Sequence, residues 1–282
     1  MDTALAVDIG GTKLAAGLVT DDGELLASAT APSIADSGEA LFEVLVGLVE
    51  PFGEATVCGV GCGGPMSAGG ETVSPLNIAV WRDFPLRARL TEATGLETFV
   101  DNDAKALALG EGWRGAAAGA SNFIAMVVST GVGGGIVLDG RLLDGGSGNA
   151  GHIGHVCVEP NGRVCACGAW GCLEAEASGT SIAAVTGRPA AEAGPEVIER
   201  TGRLVGRAVA SVANLLDLGL AVVAGSVALG YGEPFFAAAQ AELDAQARLS
   251  FSEGARIVPG GLGVAGPLVG AAAVGWRGIG RL

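Results

Sequence analysis

The chain has 282 residues, of which 49% are hydrophobic and 16% charged. That is enough for one large domain or two modest ones with buried cores, which excludes whole-chain disorder. The net charge of −14, from 16 basic and 30 acidic residues, comes with no Lys/Arg cluster, so no basic face is available for the phosphates of a nucleic acid.

The start, MDTALAVDIGG, lacks the basic and long apolar regions of a signal peptide. Residues 3–9 form an apolar run that predicts a buried strand. Residues 14–20 and 24–28 complete a three-stranded meander, with an Asp22-Gly23 turn between them. A helix is expected over 37–50, with Leu41, Val44, Leu45, Leu48 and Val49 on one face and Pro51 ending it. A strand over 56–62, a helix over 85–93, a strand over 97–100 and a helix capped by Asp103 follow. A second round opens with a strand over 123–128, a glycine loop over 131–135 and a strand over 136–138 that turns through Asp139-Gly140. Helices over 195–216, 233–247 and 267–275, with strands over 221–224 and 256–258, finish the chain. The most apolar stretch, 261–276, is short for a membrane span and contains Pro267. The expectation is a cytoplasmic α/β protein with no membrane partner. Two related domains are predicted: 1–103, completed by a C-terminal helix over 266–282, and 104–265, carrying an insert over 155–172.

Four segments could carry chemistry. In Asp8-Ile9-Gly10-Gly11-Thr12-Lys13, two glycines after a strand let backbone N–H groups approach an anion. Thr12 adds a hydroxyl, Lys13 a charge, and Asp8 a carboxylate placed to hold a metal-bound water; the alternative is an ordinary Gly-Gly turn. Ser129-Thr130-Gly131-Val132-Gly133-Gly134-Gly135 repeats the design in the second half. Two such turns opening matched halves suggest a polyphosphate, whereas one alone is only a bend. Asp101-Asn102-Asp103 ends a strand and begins a helix. Asp103 there is either a general base, with Asn102 binding a hydroxyl, or simply a helix cap. Finally, His155, Cys165, Cys167 and Cys172 form a Cys₃His set suited to structural zinc, the alternatives being buried thiols or a redox pair. Cys58, Cys62 and Cys157 lie in apolar segments and are expected in the core, as are the four tryptophans. Both lysines of the chain, Lys13 and Lys105, merit attention because every other basic residue is arginine.

In this order the segments resemble the ROK family (repressor, open reading frame, kinase): DIGGTK at 8–13, DNDAKA at 101–106, STGVGGGIV at 129–137, and GNAGHIGH with CACGAWGCLEAEASG across 148–179. The resemblance implies the two-domain actin-like ATPase fold, ribonuclease H-like, with a cleft between domains. It also implies a homodimer and transfer of phosphate from ATP with Mg²⁺ to the 6-hydroxyl of a hexose, in a glucokinase-like protein with structural zinc. On these matches Asp103 is the general base. Asn102, Gly64, Asn77, His155 and Glu174 lie on the sugar side, with His155 also binding zinc. Asp8, Gly10, Gly11, Thr12, Lys13, Thr130, Gly131, Gly133 and Gly225 lie on the nucleotide side, where the second glycine of the family's pair is Ser226.

One departure touches specificity. The family's glutamate in A-G-E-x-G-H is His152 here. A carboxylate accepts two hydroxyl donors, whereas a neutral imidazole accepts one and donates one. The sugar's C1–C3 side should be read differently, which opens amino sugars, other hexoses or a cyclitol beside glucose. Three further readings follow. The family's repressors carry a DNA-binding segment before this motif, and seven residues before Asp8 leave no room for it. A non-catalytic sugar sensor is the alternative that His152 and Ser226 suggest, against an intact Asp103 and both loops. Polyphosphate as donor would favour more cations than the two lysines supply.

Overall fold

Residues 4–7 alternate small and large apolar side chains, and both sets are used. Leu5, Val7 and Ile9 join one core cluster, while Ala4 and Ala6 join another on the opposite face of the same strand. The computed structural model of the chain describes residues 1–282. It divides into two compact units. The first comprises Met1–Ala118, Asp144–Ala150 and Gly261–Leu282, and the second Gly119–Leu143 and Gly151–Gly260.

In the first unit the strands are β1 (Thr3–Ile9), β2 (Lys13–Thr20), β3 (Leu25–Pro32), β4 (Val57–Cys62) and β5 (Thr98–Asn102), in the sheet order β3-β2-β1-β4-β5. The meander is antiparallel, whereas β4 and β5 run parallel to β1. Helices α1 (Gly38–Val49) and α2 (Leu86–Thr94) belong with the face of Leu5, Val7 and Ile9; Leu41, Leu45, Leu86, Leu90 and Trp81 fill that core. Trp81 is fully buried, donates its indole N–H to the Gly38 carbonyl at 3.0 Å and stacks on Phe84 at 4.6 Å.

The other face takes α3 (Asp103–Arg114) and the C-terminal helix (Gly266–Gly278). That helix is rich in glycine and alanine and therefore lies close to the strands: the Ala271 carbonyl abuts Gly59 of β4 so tightly that any side chain there would collide. Gly110 of α3 meets Gly270 in the same way. This contact sets α3 in the first unit, whereas the sequence predicts a domain boundary at 103, before it.

The second unit repeats the plan. Its strands are β6 (Phe123–Val128), β7 (Val132–Leu138), β8 (Arg141–Leu142), β9 (Leu220–Ala224) and β10 (Arg256–Pro259), in the order β10-β9-β6-β7-β8. Read from the other edge, the order and sense of pairing match those of the first sheet. Its helices are α4 (Leu173–Ala177), α5 (Gly179–Thr186), α6 (Pro195–Leu216), α7 (Ser226–Tyr231) and α8 (Glu233–Gln246), and α6 packs along α8. Leu204, Val205, Ala208, Val209 and Val212 of α6 form a buried stripe at helical spacing.

Two details differ from the expectation. The glycines at 133–135 are not in a loop: Gly133, Gly134 and Gly135 pair with Val127, Met126 and Ala125 inside the β6–β7 ladder. Among the cysteines and tryptophans expected in the core, Cys157 and Trp170 are exposed, while Cys58, Cys62, Trp81 and Trp276 are buried. Cys157 and Trp170 both sit on isolated bridges of the 155–172 insert, which offers too little layered structure to cover them. No helix is long and apolar enough to cross a membrane.

Candidate active site

In the first unit the parallel register aligns the ends of three strands: Asp8 of β1 stands beside Gly61 of β4, and Gly61 beside Asp101 of β5. Gly61 has no side chain, and the space over it is shared by the Asp8 carboxylate and the first residue of α3. A Cβ on Gly61 would stand 3.7 Å from Asp8 Oδ1 and 3.6 Å from the Asp103 Cα. Burial, reinforced by the charge of Asp103 and opposed by Lys13, raises Asp8 to about 7. Cys62, buried behind the pair, is raised well above the ordinary thiol range by burial, then by Asp103 and Asp8.

The α3 N-cap is Asn102, not Asp103. Asn102 Oδ1 accepts the N–H groups of Ala104 at 3.1 Å and Lys105 at 3.4 Å. Its oxygen is thus engaged, and its amide nitrogen lies 3.4 Å from where a Cβ on Gly64 would stand. Asp103 occupies the first turn, where the partial positive charge of the helix end favours a carboxylate. The β1–β2 turn closes on itself, the Gly10 N–H donating to the Lys13 carbonyl at 3.0 Å, so the Gly10 amide serves the turn. Gly11 lies against Asn77, whose Cβ is 2.5 Å from the place a Gly11 side chain would take. Arg82, which the sequence reading passed over, secures the segment holding Asn77 by donating to the carbonyls of Pro75 at 3.0 Å and Ile78 at 2.9 Å.

In the second unit the matching strand end carries hydroxyls and backbone instead of carboxylates. The turn after β6 is held by Ser129 N–H to Gly131 O at 2.9 Å. The start of α5 docks on it, with Gly179 N–H donating to Ser129 O at 2.7 Å and the Thr180 hydroxyl to Thr130 O at 2.9 Å. The Ser226 hydroxyl at the start of α7 meets that of Ser129 at 2.9 Å. Gly225 just before it has φ +99°, a conformation side chains rarely adopt, and is pressed against the Val128 carbonyl. Beside these turns is a pocket of about 410 Å³ lined by Thr130, Thr180, Ala190, Ser226, Val227 and Tyr231 among others. Glu174 is turned to the same loop: its Oε2 accepts the Val132 N–H at 3.0 Å. Gly133 lies beyond the loop, inside the sheet.

The insert gathers His155, Cys165, Cys167 and Cys172, whose ligand atoms all lie within 4.8 Å of one another. Cys165 Sγ is 3.7 Å from His155 Nδ1, and Cys167 Sγ is 3.7 Å from Cys172 Sγ. Sulfurs on a tetrahedral zinc at the usual bond length stand about 3.8 Å apart, so the spacing and the donor set fit that ion. A hydrogen bond from the Ala169 backbone holds Cys167 below the ordinary thiol range, while burial pushes Cys172 up to about 12. A carboxylate missed by the sequence reading fastens the insert. Glu176, buried, meets Arg163 at 2.7 Å and Arg200 at 2.6 Å and accepts the Arg163 N–H at 2.6 Å. His152 is exposed in the turn before His155, their ring centroids 6.0 Å apart.

Clustered strand-end carboxylates in one unit, and a glycine-and-hydroxyl turn with a ligand-sized pocket in a second unit of the same strand order, mark an α/β phosphotransferase. The ROK family model matches residues 4–275. The chain is 38% identical over 248 residues to N-acetylmannosamine kinase of Escherichia fergusonii, covering 82% of this chain and 85% of that protein. It is 40% identical over 191 residues to the glucokinase of Thermotoga maritima, covering 63% of this chain and 58% of that one. The ROK glucokinase of Streptomyces griseus, solved with glucose and AMPPNP, superposes with a TM-score of 0.85 at 28% identity, over 98% of this chain and 99% of that one. The chain belongs to the ROK family; it has the two-domain actin-like ATPase fold and is a sugar kinase of the ROK type.

Proposed function

We propose that this kinase transfers the γ-phosphoryl group of ATP to the 6-hydroxyl of a hexose, with Asp103 as general base. The observation that carries the reading is the placement of Asp103 in the first turn of α3, beside the ends of β1 and β4. The hydroxyl oxygen bonds to the γ-phosphorus as the bond to the ADP oxygen breaks, and the hydroxyl proton passes to Asp103 and on to solvent. Because the Asn102 oxygen caps α3, its amide nitrogen is the part that donates to a sugar hydroxyl. Asn77 and Gly64 lie on the same sugar side. In the second unit Thr130, Gly131, Gly225 and Ser226 receive the nucleotide, with its nucleoside in the pocket of about 410 Å³; in the first unit the turn at Gly11, Thr12 and Lys13 is suited to a phosphate. Asp8 is the carboxylate suited to a water on Mg²⁺, which would supply charge neutralisation of the phosphates.

In the same reading His155, Cys165, Cys167 and Cys172 hold a structural zinc ion. His155 Nδ1 is turned to Cys165 Sγ at 3.7 Å, so with zinc held by this set its Nε2–H would remain as a donor for a substrate hydroxyl. His152 takes the sequence position of the family's glutamate and would read sugar hydroxyls in its place. Glucose or a glucose-like hexose is the substrate class proposed. An N-acylated amino sugar is the second reading, supported by His152 and by similarity to an N-acetylmannosamine kinase across 82% of the chain.

The test is Asp103→Asn. Sugar turnover should fall by about 10²–10⁴-fold, with ATP affinity by calorimetry unchanged. Turnover near that of the unaltered protein would remove Asp103 as base.

A further inference from the structure

Lys105 is buried, its side chain 3% exposed, on the first turn of α3. A buried ammonium is costly unless every donor is met. It donates to Asp144 Oδ1 at 2.8 Å and to the Gly148 carbonyl at 3.2 Å, and it forms an ion pair with Asp101 Oδ1 at 2.9 Å. The same Asp101 Oδ1 accepts the backbone N–H of Asn102 at 2.8 Å. Arg277 of the C-terminal helix closes the ring, 3.6 Å from Asp101 Oδ2 and 3.1 Å from Asp144 Oδ2. Burial alone would raise Asp144, but Lys105 and Arg277 outweigh it and hold this carboxyl below its ordinary range.

The lysine and the aspartate are thus two ends of a brace four residues long. The residues it spans are Asn102, Asp103 and Ala104, where a strand must turn into a helix within one peptide. Neither end touches the reacting atoms in the proposed reaction. We infer that Lys105 is a positioning residue: by gripping Asp101 and the Asp144–Ala150 segment together, it sets the peptide that aims Asp103. A lysine that served folding alone would need any two carboxylates. This one uses the oxygen that also fixes the Asn102 amide, so a change at Nζ is passed to the backbone of the base. Misplacing a catalytic group by about 1 Å can cost about 10²-fold in rate.

The inference rests on Asp103 as base, and the experiment separates the two. Lys105→Met, Asp101→Asn and the double variant are compared with Asp103→Asn for kcat, and for the KM of Mg-ATP with the sugar held at saturation. Lys105→Met should lower kcat by about 10- to 100-fold and leave the KM for ATP within about threefold. The double variant, which restores charge balance and guards against a folding failure of the single one, should be no slower than Lys105→Met, because both changes cut the same brace. Lys105→Arg should recover part of kcat. The inference is overturned if Lys105→Met keeps full kcat, or if the two single losses multiply in the double variant. An unaltered kcat in Asp103→Asn would instead overturn the base assignment itself.

Discussion

The two units share one strand order and differ in what their strand ends carry. In the first, β1 carries Asp8 one residue before its end, β5 ends on Asp101 and Asn102, and α3 starts with Asp103. In the second, β6 is followed by Ser129 and Thr130, and β9 by Gly225 and Ser226. The first set bears charge that must be balanced, and the protein surrounds it with Lys13, Lys105 and Arg277. The second bears hydroxyls and close-packed backbone, and the carboxylate turned to it, Glu174, is met by the Val132 N–H. A duplicated scaffold has therefore been specialised by polarity at equivalent turns. The carboxylate end suits proton and metal work, and the hydroxyl and backbone N–H end suits an anionic ligand that brings its own charge.

That contrast can be broken at several points. The largest effect falls on the second unit's insert. Cys167→Ser should remove about one equivalent of zinc measured by metal analysis, with loss of both stability and sugar affinity. Retention of full activity by metal-free protein would leave the cluster without a role. Next comes Glu176→Gln. Removing the charge between two half-exposed arginines should cost roughly 2 kcal/mol by urea unfolding at pH 7. The Glu176 carboxyl feels burial raising it, outweighed by the Arg163 backbone N–H and by Arg200, so it lies below its ordinary range. Its stabilisation is present at neutral pH and lost as pH falls through the native value, so the deficit of the variant should shrink in acid.

The first unit should behave oppositely. Asp8 titrates at about 7 in the native chain, against about 4 in the unfolded one. Between these values the native state holds a proton that the unfolded state has released, so rising pH destabilises the fold. Asp8→Asn should raise Tm at pH 8 and leave it little changed near pH 4. The gain is on the order of 2–4 kcal/mol, discounted for partial solvent access, and equal Tm gaps at both pH values would contradict it. Activity should fall in the same variant. The smallest effect belongs to the exposed Arg89–Glu39 pair at 2.7 Å, where Glu39→Gln should leave Tm unchanged within error.

Much of this was legible in the sequence for identifiable reasons. Strands β1, β4, β6 and β9 are buried apolar runs, and α1 and α6 have stripes at helical spacing. The thiol cluster announces itself because its ligands are near in sequence, with Gly168 and Gly171 to turn the chain. Hidden features depend on distant partners or on missing side chains. Glycines 133–135 carry no alternation, so their pairing with β6 had no signal. Helices α4, α5 and α7 are too short to show a period. Glu176 acquires its role only when Arg200, 24 residues away, folds onto it. Asn102 rather than Asp103 caps α3, a one-residue difference between two good capping residues. Lys105 stood out by rarity, but only the fold shows the carboxylates that hold it.

The most direct test of the account is ADP release from Mg-ATP with a panel of glucose, mannose, N-acetylmannosamine, glucosamine, kanosamine and a cyclitol, with the product's phosphate position read by NMR. The account predicts turnover on a hexose with phosphate on the 6-oxygen. Silence across the panel, from folded protein that binds both ATP and a sugar, would contradict it and favour a sugar sensor.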